Sequence, residues 1–495
     1  MKKKMFRQVV VLAAVVSMMA SLLTGCGNKD DKGSSTTKGT TQGTTKKEEA
    51  AKEDSDITIR VLLSDAAHTD TEMVSDAVSE YVKEKLGFGV ELVQYGAGEY
   101  EQKMSLALLS DEQVDIIWRS GDAFVTAARD GSLMDISKLL PQYAPNLEAL
   151  IYDDLWVGVT IDDGIYGVPC LKEIANSWGF YVLKSFIDEK GIDLSQIKTL
   201  ADCEVVLKAL VDDGREGLMY ATSGWHDAGA FQNYEDVTGD FIMSMEEGND
   251  AIVSRYMTDE YEAFVNLMRD WYNKEYIRKD AATNTEYDAS DEAFGLRGVC
   301  YSPCGEGDNY YYIELTTPIV TTSAGRGSDL CVASKSEYPE QALQFLELWY
   351  TDPELETLMC YGIEGKHYTV TEEGRVERVE GYNNLYVNQT WKGGNMLISP
   401  LAPSDPADKW EQYEAWNEAA QTSKFMGFTP STAAVEAEYA AVKAVVAEYE
   451  KLLMCGAVDP AETLPQFRQA LKDAGVEKIC AELQSQYDEW KASNK

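Results

Sequence analysis

The chain has 495 residues, 44% of them hydrophobic and 26% charged, which is the composition of a globular protein and enough length for two or three domains. Its 84 acidic and 44 basic residues leave a formal charge of −40. Such a surface repels nucleic acid and anionic membranes and reads as a solubility feature with a bias against anionic ligands.

Lys2, Lys3, Lys4 and Arg7 form a basic cap, and Val9 to Leu23 follows without a charge. That run is too short for a stable bilayer span and has the length of a signal-peptide core. Leu23-Thr24-Gly25-Cys26 comes next and resembles the lipobox of bacterial lipoproteins, in which Cys26 would be lipidated and become the mature N-terminus. An ordinary secretory signal with an unmodified cysteine is the competing reading. Removing residues 1–25 takes away those four basic residues and no acid, so the remaining chain carries −44. Residues 27–55 have no aromatic and almost no apolar side chain, so they are expected to form a disordered tether. A coil of that length spans roughly 30 Å.

The body opens with a strand at 56–65, a helix at Thr71 to Leu86 closed by Gly87, a strand at 90–95, a helix at Tyr100 to Leu109 and a strand at 114–118. Strand–helix alternation implies a parallel sheet with right-handed crossovers, and ligands sit beyond the carboxyl ends of such strands. Asp352-Pro353 and Asp459-Pro460 each place a capping aspartate before a proline at the first helical position, and Thr429-Pro430 looks similar. Ser431 to Met454 reads as a long helix with a packing stripe, ended by Gly456. Eight cysteines follow Cys26. Cys300 and Cys304 are close enough to pair, yet most of the set reads as small buried hydrophobes.

G-S-L-M-D-I-S-K-L-L at 131–140 with Y-A-P-N-L after it, D-G-I-Y-G-V-P at 163–169 and S-K-S-E-Y-P-E-Q-A-L-Q-F-L-E-L-W-Y-T-D-P-E-L at 334–355 occur in that order. Together they resemble the extracellular solute-binding proteins of ABC importers, in particular the family 1 sugar-binding lipoproteins, from about residue 56 to about 370. M-C-Y-G-I-E-G-K-H-Y at 359–368 and the tail from M-G-F-T-P at 426–430 to Trp490 resemble a subgroup with a C-terminal extension. Tyr338-Pro339-Glu340 departs from the family's Asn-Pro-Glu and supplies a poorer helix cap.

The resemblance implies an α/β, two-lobed periplasmic-binding-protein-like fold of type II. Each lobe would be a mainly parallel sheet flanked by helices, with a helical C-terminal extension. The expected organisation is a signal peptide at 1–25, lipidated cysteine and tether at 26–55, lobe 1 at 56–168 and 317–370, and lobe 2 at 169–316 and 371–495. The chain would cross between lobes near Tyr166 to Pro169 and return near Leu315 to Ser323. The function implied is capture of a carbohydrate, an oligosaccharide by family habit, and delivery to the permease subunits of an ABC importer. The protein would be a monomer on the outer cell surface, held to the membrane only by its lipid (palmitate-bearing) anchor. A peptide or another small polar solute is the alternative cargo.

A sugar needs polar groups for its hydroxyl rim and flat rings for its C–H face. Asp65 follows the first strand, and Trp118 and Asp122 follow the third. Trp178 lies just past the supposed crossing, while Trp225 and Trp391 sit in glycine-containing, loop-like stretches. Trp118 is equally open to burial at a strand end, and Glu364 in G-I-E-G could cap a helix as well as bind a hydroxyl. Trp271, Trp349 and Trp490 fall on helical stripes and read as packing.

Hydrolysis is the rival class, but carboxylate pairs are too abundant here for their spacing to inform. His68, His226 and His367 lack metal-ligand spacing, G-x-S-x-G is absent, and Ser195-Gln196-Ile197-Lys198 has no partner motif. No catalytic residue, metal or cofactor is therefore expected, although a surface glycoside hydrolase stays as the less favoured reading. The absence of repeats and the α/β pattern argue against an adhesin.

Overall fold

The computed structural model describes residues 57–493 except 67, 111, 220–227, 285–287, 289, 302 and 304–308. The signal peptide and tether, Cys26, Trp225 and Cys304 lie outside the described residues. None of the described helices is long and apolar enough to cross a membrane.

The chain folds around two sheets. The first begins with β1 (Thr58–Ser64), α1 (Thr71–Leu86), β2 (Gly89–Tyr95), α2 (Ala97–Leu109), β3 (Ile116–Arg119) and α3 (Gly121–Arg129). β1 pairs in parallel with both β2 and β3. Flanked on both sides, β1 buries Leu62 and Leu63 on opposite faces, which is why its second half runs Val61-Leu62-Leu63 without a polar residue. α1 lays Val74, Val78 and Val82 on the sheet and stops where Gly87 takes a φ of +89°.

β4 (Val168–Pro169) completes this sheet together with a strand that arrives much later in the chain. Before that, β5 (Trp178–Leu183), β6 (Leu218–Met219), a three-stranded antiparallel sheet of β7 (Tyr234–Thr238), β8 (Phe241–Ser244) and β9 (Ile252–Ser254), helix α4 (Asp259–Asn273), β10 (Leu296–Cys300) and β11 (Tyr310–Glu314) build the second body. Its main sheet runs β11-β5-β10-β6. β12 (Asp329–Val332) then returns to the first sheet, whose order is β2-β1-β3-β12-β4.

The parallel expectation holds for β1 to β3 and for β10 beside β6, and the other pairings of the two main sheets are antiparallel. β12 is antiparallel to β3 and β4, and β5 is antiparallel to both its neighbours, β10 and β11. β5 is inserted between two strands that follow it in the chain, and local periodicity carries no information about such neighbours.

α5 (Pro339–Thr351), α6 (Pro353–Tyr361) and α7 (Lys409–Ala419) pack on the first sheet, and α8 (Glu436–Met454), α9 (Pro460–Asp473) and α10 (Val476–Ser493) on the second body. Asp352 and Asp459 cap α6 and α9 as expected, accepting from Glu354 N and Leu355 N, and from Ala461 N. Tyr338 starts α5 without a side-chain cap. Thr429-Pro430 starts no helix: α8 begins at Glu436, because Arg129 and Arg326 hold Thr429 and Pro430 in place. Trp271 and Trp349 are fully buried, and Trp490 packs at the edge of the second core. The seven described cysteines are unbonded, and five of them are buried.

Residues 376–420, expected with the second lobe, pack on the first. The Tyr386 ring fills the first core and its hydroxyl donates to Met359 O at 2.7 Å, while Ile174 N donates to Asn417 Oδ1 at 2.9 Å. The second core begins again only at Phe425. Three chain passages therefore join the two bodies and run side by side. Asn176 exchanges backbone hydrogen bonds with Ile319, and Ile319–Val320 pairs in parallel with Gln421–Thr422.

Candidate functional site

Two groups of side chains meet at this junction. The first stands at the carboxyl ends of β1 and β3. Asp65 is 9% exposed and accepts from Ala66 N at 2.8 Å and from Gln389 N at 3.0 Å. It thereby anchors the loop 389–395. Lys392 in that loop donates to Ser64 O, and its Nζ lies 5.8 Å from the Trp118 ring and 5.2 Å from the Trp391 ring. Burial pulls the Lys392 amine below its ordinary pKa, with Asp65 opposing that shift. Trp118 donates through Nε1 to Ser328 Oγ at 2.7 Å, and Ser328 Oγ donates to Lys392 O at 2.8 Å.

So the structure brings Asp65, Trp118 and Trp391 together, although more than 300 residues separate the loop from β1. Trp118 is half-buried and Trp391 is 42% exposed, so Trp391 is the ring that presents a face to solvent. Gly394 closes the loop at a φ of +81°, where a Cβ would stand 2.5 Å from both Trp349 Nε1 and Glu356 Oε2. No other residue fits there without displacing that buried hydrogen bond.

The second group surrounds a cavity of about 180 Å³. Trp178 lines it at the start of β5, held by Thr316 Oγ1, which accepts from Trp178 N at 2.6 Å. Asn176, Thr321 and Ser323 line it from the crossing segments, and Phe231, Glu235 and Arg255 from the three-stranded sheet and its flanks. Arg255 stacks its guanidinium 5.0 Å from the Phe231 ring and donates to Asp236 Oδ1 at 3.1 Å. Glu235 is 6% exposed and neither carboxylate oxygen makes a well-formed hydrogen bond, although the Ser423 hydroxyl lies beside it. Burial pushes its pKa up to about 7, Asp236 adds to the rise, and Ser423 and Lys424 oppose it.

An aromatic run links the lobes. The Trp416 ring, from the first lobe, lies 4.7 Å from Tyr301, which stacks on Tyr312 at 4.4 Å. Tyr312 in turn bonds Ser177 Oγ at 3.1 Å.

The remaining expected residues lie elsewhere. Asp122 is exposed in the first turn of α3, and its charge acts on Arg326 and on Tyr439 of α8. Glu364 is exposed in a turn beside the buried His367, which bonds Asp70 at 3.1 Å, and it does not line the cavity. Among the described residues no group of three or more His, Cys, Asp or Glu could hold a metal ion. Sequence reasoning missed Glu235, Phe231 and Arg255. Glu235 is one of 84 acids, and its only local signal is an acid at an inward position of a short strand.

Two lobes, three adjoining crossings and a polar, aromatic-lined cavity beside them define a solute-binding protein. The family of bacterial extracellular solute-binding proteins matches residues 76–363, more than half of the chain, and the chain belongs to that family. A domain of unknown function (DUF3502) matches residues 424–492, which are the third crossing's end and helices α8 to α10. The chain is 24% identical, over 99% of its own length and 100% of the relative, to a carbohydrate ABC transporter substrate-binding protein of Streptococcus pneumoniae serotype 4. Its fold is similar to the crystal structure of the N-glycan transport solute-binding protein NgtS from Streptococcus pneumoniae, with a TM-score of 0.79 and 23% identity over 88% of this chain and 100% of that one. It is also similar to an HMO-binding, ABC-transporter-associated solute-binding protein from Bifidobacterium longum infantis, with a TM-score of 0.63 and 16% identity over 87% and 98% of the two chains.

Proposed function

We propose that this chain captures an oligosaccharide between its lobes and passes it to the permease of an ABC importer. The observation that carries the proposal is the cavity beside the three crossings, where the Trp178 ring stands with the Glu235 carboxylate and the Arg255–Asp236 pair. Rings for the C–H face and acids for the hydroxyls are what a sugar requires. At about 180 Å³ the cavity is smaller than the roughly 300–1,000 Å³ of a site for a whole drug-sized ligand, so it suits one unit of a longer chain. Trp391 and Trp118 on the first lobe would meet further units. The relatives' roles in carbohydrate and N-glycan transport favour the same class of cargo.

In this reading the first lobe comprises residues 56–168 and about 321–420, the second 178–316 and 425–495, and lobe closure about the three crossings buries the cargo. Cys26 carries the lipid anchor and residues 27–55 the tether, and the protein acts as a monomer without turnover of its cargo. Intact mass of the exported chain tests the anchor: processing elsewhere than before Cys26, without acyl chains, overturns it.

A thermal-shift screen of residues 56–495 against Man1GlcNAc, Man5GlcNAc and kestose, with peptides as controls, tests the cargo. A ligand at 100 times its Kd that binds only the folded state stabilises by about 2.7 kcal/mol. A shift with a glycan, and no new reducing ends over hours, is expected. A shift with peptides alone overturns the carbohydrate reading, and slow cleavage overturns the reading as a receptor.

A further inference from the structure

Glu235 is the one acid of the cavity whose charge is uncommitted. It sits on β7 opposite Met243 of β8, so its own sheet offers it no polar neighbour across the strand. Asp236, the next residue, also lines the cavity, but it is already paired with Arg255, which donates to its Oδ1 at 3.1 Å. Lys424 on the third crossing is engaged by Glu246 O, Asn249 O and Asp250 Oδ1, all near 3.0 Å, so its charge reaches Glu235 only at a distance. Tyr234 directs its hydroxyl to Glu260 at 3.2 Å. The Ser423 hydroxyl accepts from Phe425 N at 3.2 Å and is a neutral group beside Glu235 whose proton can turn toward it.

Among the described residues, the charged and titratable groups around Glu235 thus have partners elsewhere, while Glu235 lines the cavity with both carboxylate oxygens buried and without a well-formed hydrogen bond. A buried carboxylate without donors is costly, and a buried carboxylic acid is less so. Ligand hydroxyls donating to it would reverse that preference.

We propose that Glu235 is a specificity-determining residue that receives a pair of hydroxyl donors from the bound oligosaccharide, and that capture is coupled to release of its proton. The proposal rests on the carbohydrate reading above. The free chain holds Glu235 partly protonated near neutral pH, because its pKa stands at about 7. Binding to the carboxylate form lowers that pKa, so the complex carries fewer protons than the free chain and affinity rises with pH across the interval from about 6 to 8. The rise ends once the free chain is itself deprotonated. A hydroxyl pair on one sugar unit would be preferred over deoxy or O-methyl analogues at that position, since such analogues leave an oxygen of the acid unpaired.

The test uses residues 56–495 of the otherwise unaltered chain and the best-binding glycan among Man1GlcNAc, Man5GlcNAc and kestose. Titration calorimetry at pH 7 in two buffers of different ionisation enthalpy counts the protons released. Release of a sizeable fraction of one proton, with affinity at least about fivefold higher at pH 8 than at pH 6, is expected. In Glu235→Gln both the release and the pH slope should vanish while binding persists at lower affinity. Glycan binding by the wild-type chain with no proton release and a flat pH profile overturns the inference and leaves the carbohydrate reading standing. Release that survives in Glu235→Gln also overturns it, by assigning the proton to another group. If no glycan binds at any pH, the carbohydrate reading falls and this inference with it. The wild-type proton count needs no variant, so a poorly folding Glu235→Gln would not remove the test.

Discussion

The two faces of the junction differ in how far their polar groups are committed. On the first lobe, Asp65, Lys392 and the Trp118 indole each have protein partners, and the 389–395 loop depends on them. On the second, Glu235 is buried without a well-formed hydrogen bond, with only the Ser423 hydroxyl beside it. A committed face is rigid and presents rings in fixed places. An uncommitted acid weakens the free chain and gains most when cargo arrives. Substitutions on the first face should therefore lower stability, and those on the second should change binding and its pH dependence or relieve the free chain.

The largest effect should come from Gly394→Ala. A left-handed backbone costs an alanine roughly 1–2 kcal/mol, and its Cβ would press on the Trp349–Glu356 hydrogen bond. A loss of about 3 kcal/mol by urea unfolding is expected; an unchanged midpoint would show that the loop is not packed as described.

Glu235→Gln should do the reverse. Its pKa of about 7 lies above the ordinary carboxylate value of 4.5. The folded state therefore holds a proton more tightly than the unfolded one, and the stability this contributes is present below pH 4.5 and lost as pH rises through 7. Glutamine does not titrate. Relative to wild type, the variant should gain stability between pH 4.5 and 8, approaching 3 kcal/mol at the upper end. A thermal melt series across that range checks it, and parallel curves would contradict it.

Trp178→Ala should weaken glycan binding by about 2 kcal/mol, roughly 30-fold, with little change in the melting temperature of the free chain, because the ring lines the cavity. A large fall in stability with unchanged affinity would move Trp178 into the packing class.

Two aspartates sharpen the contrast at the small end. Asp65→Asn should cost about 1 kcal/mol of stability, since the carboxylate accepts two backbone hydrogen bonds. Asp122→Ala, at an exposed helix start with no side-chain cap bond, should stay within about 0.5 kcal/mol in both stability and binding. A large binding loss there would place cargo against α3.

Much of the first lobe was legible because its signals are local. The apolar spacing of α1 and its glycine stop span one helix, and the Asp-Pro cap of α6 spans four residues, as does that of α9 in the second lobe. Asp65, Trp118 and Trp391 could be picked out as strand-end or loop residues, but nothing local said that Asp65 would accept from Gln389 or that Trp118 would bond Ser328. The Thr429-Pro430 start failed because Arg129 and Arg326, distant in sequence, hold those residues in an irregular path. Glu235 could not be chosen among so many acids, since burial without a partner is a property of its surroundings.

By itself, the sequence determined the helices, their stops and the alternation that builds a parallel start. Backbone conformation and amphipathic spacing are settled within a few residues, so they are written in the chain directly. The tertiary structure decided that β5 lies between β10 and β11, that residues 376–420 return to the first lobe, and that Asn176, Glu235, Thr316 and Ser423 come together. Those outcomes depend on which apolar faces bury one another across long loops. Loop closure costs only slowly more with length, so distant pairings are chosen by packing rather than by proximity in sequence.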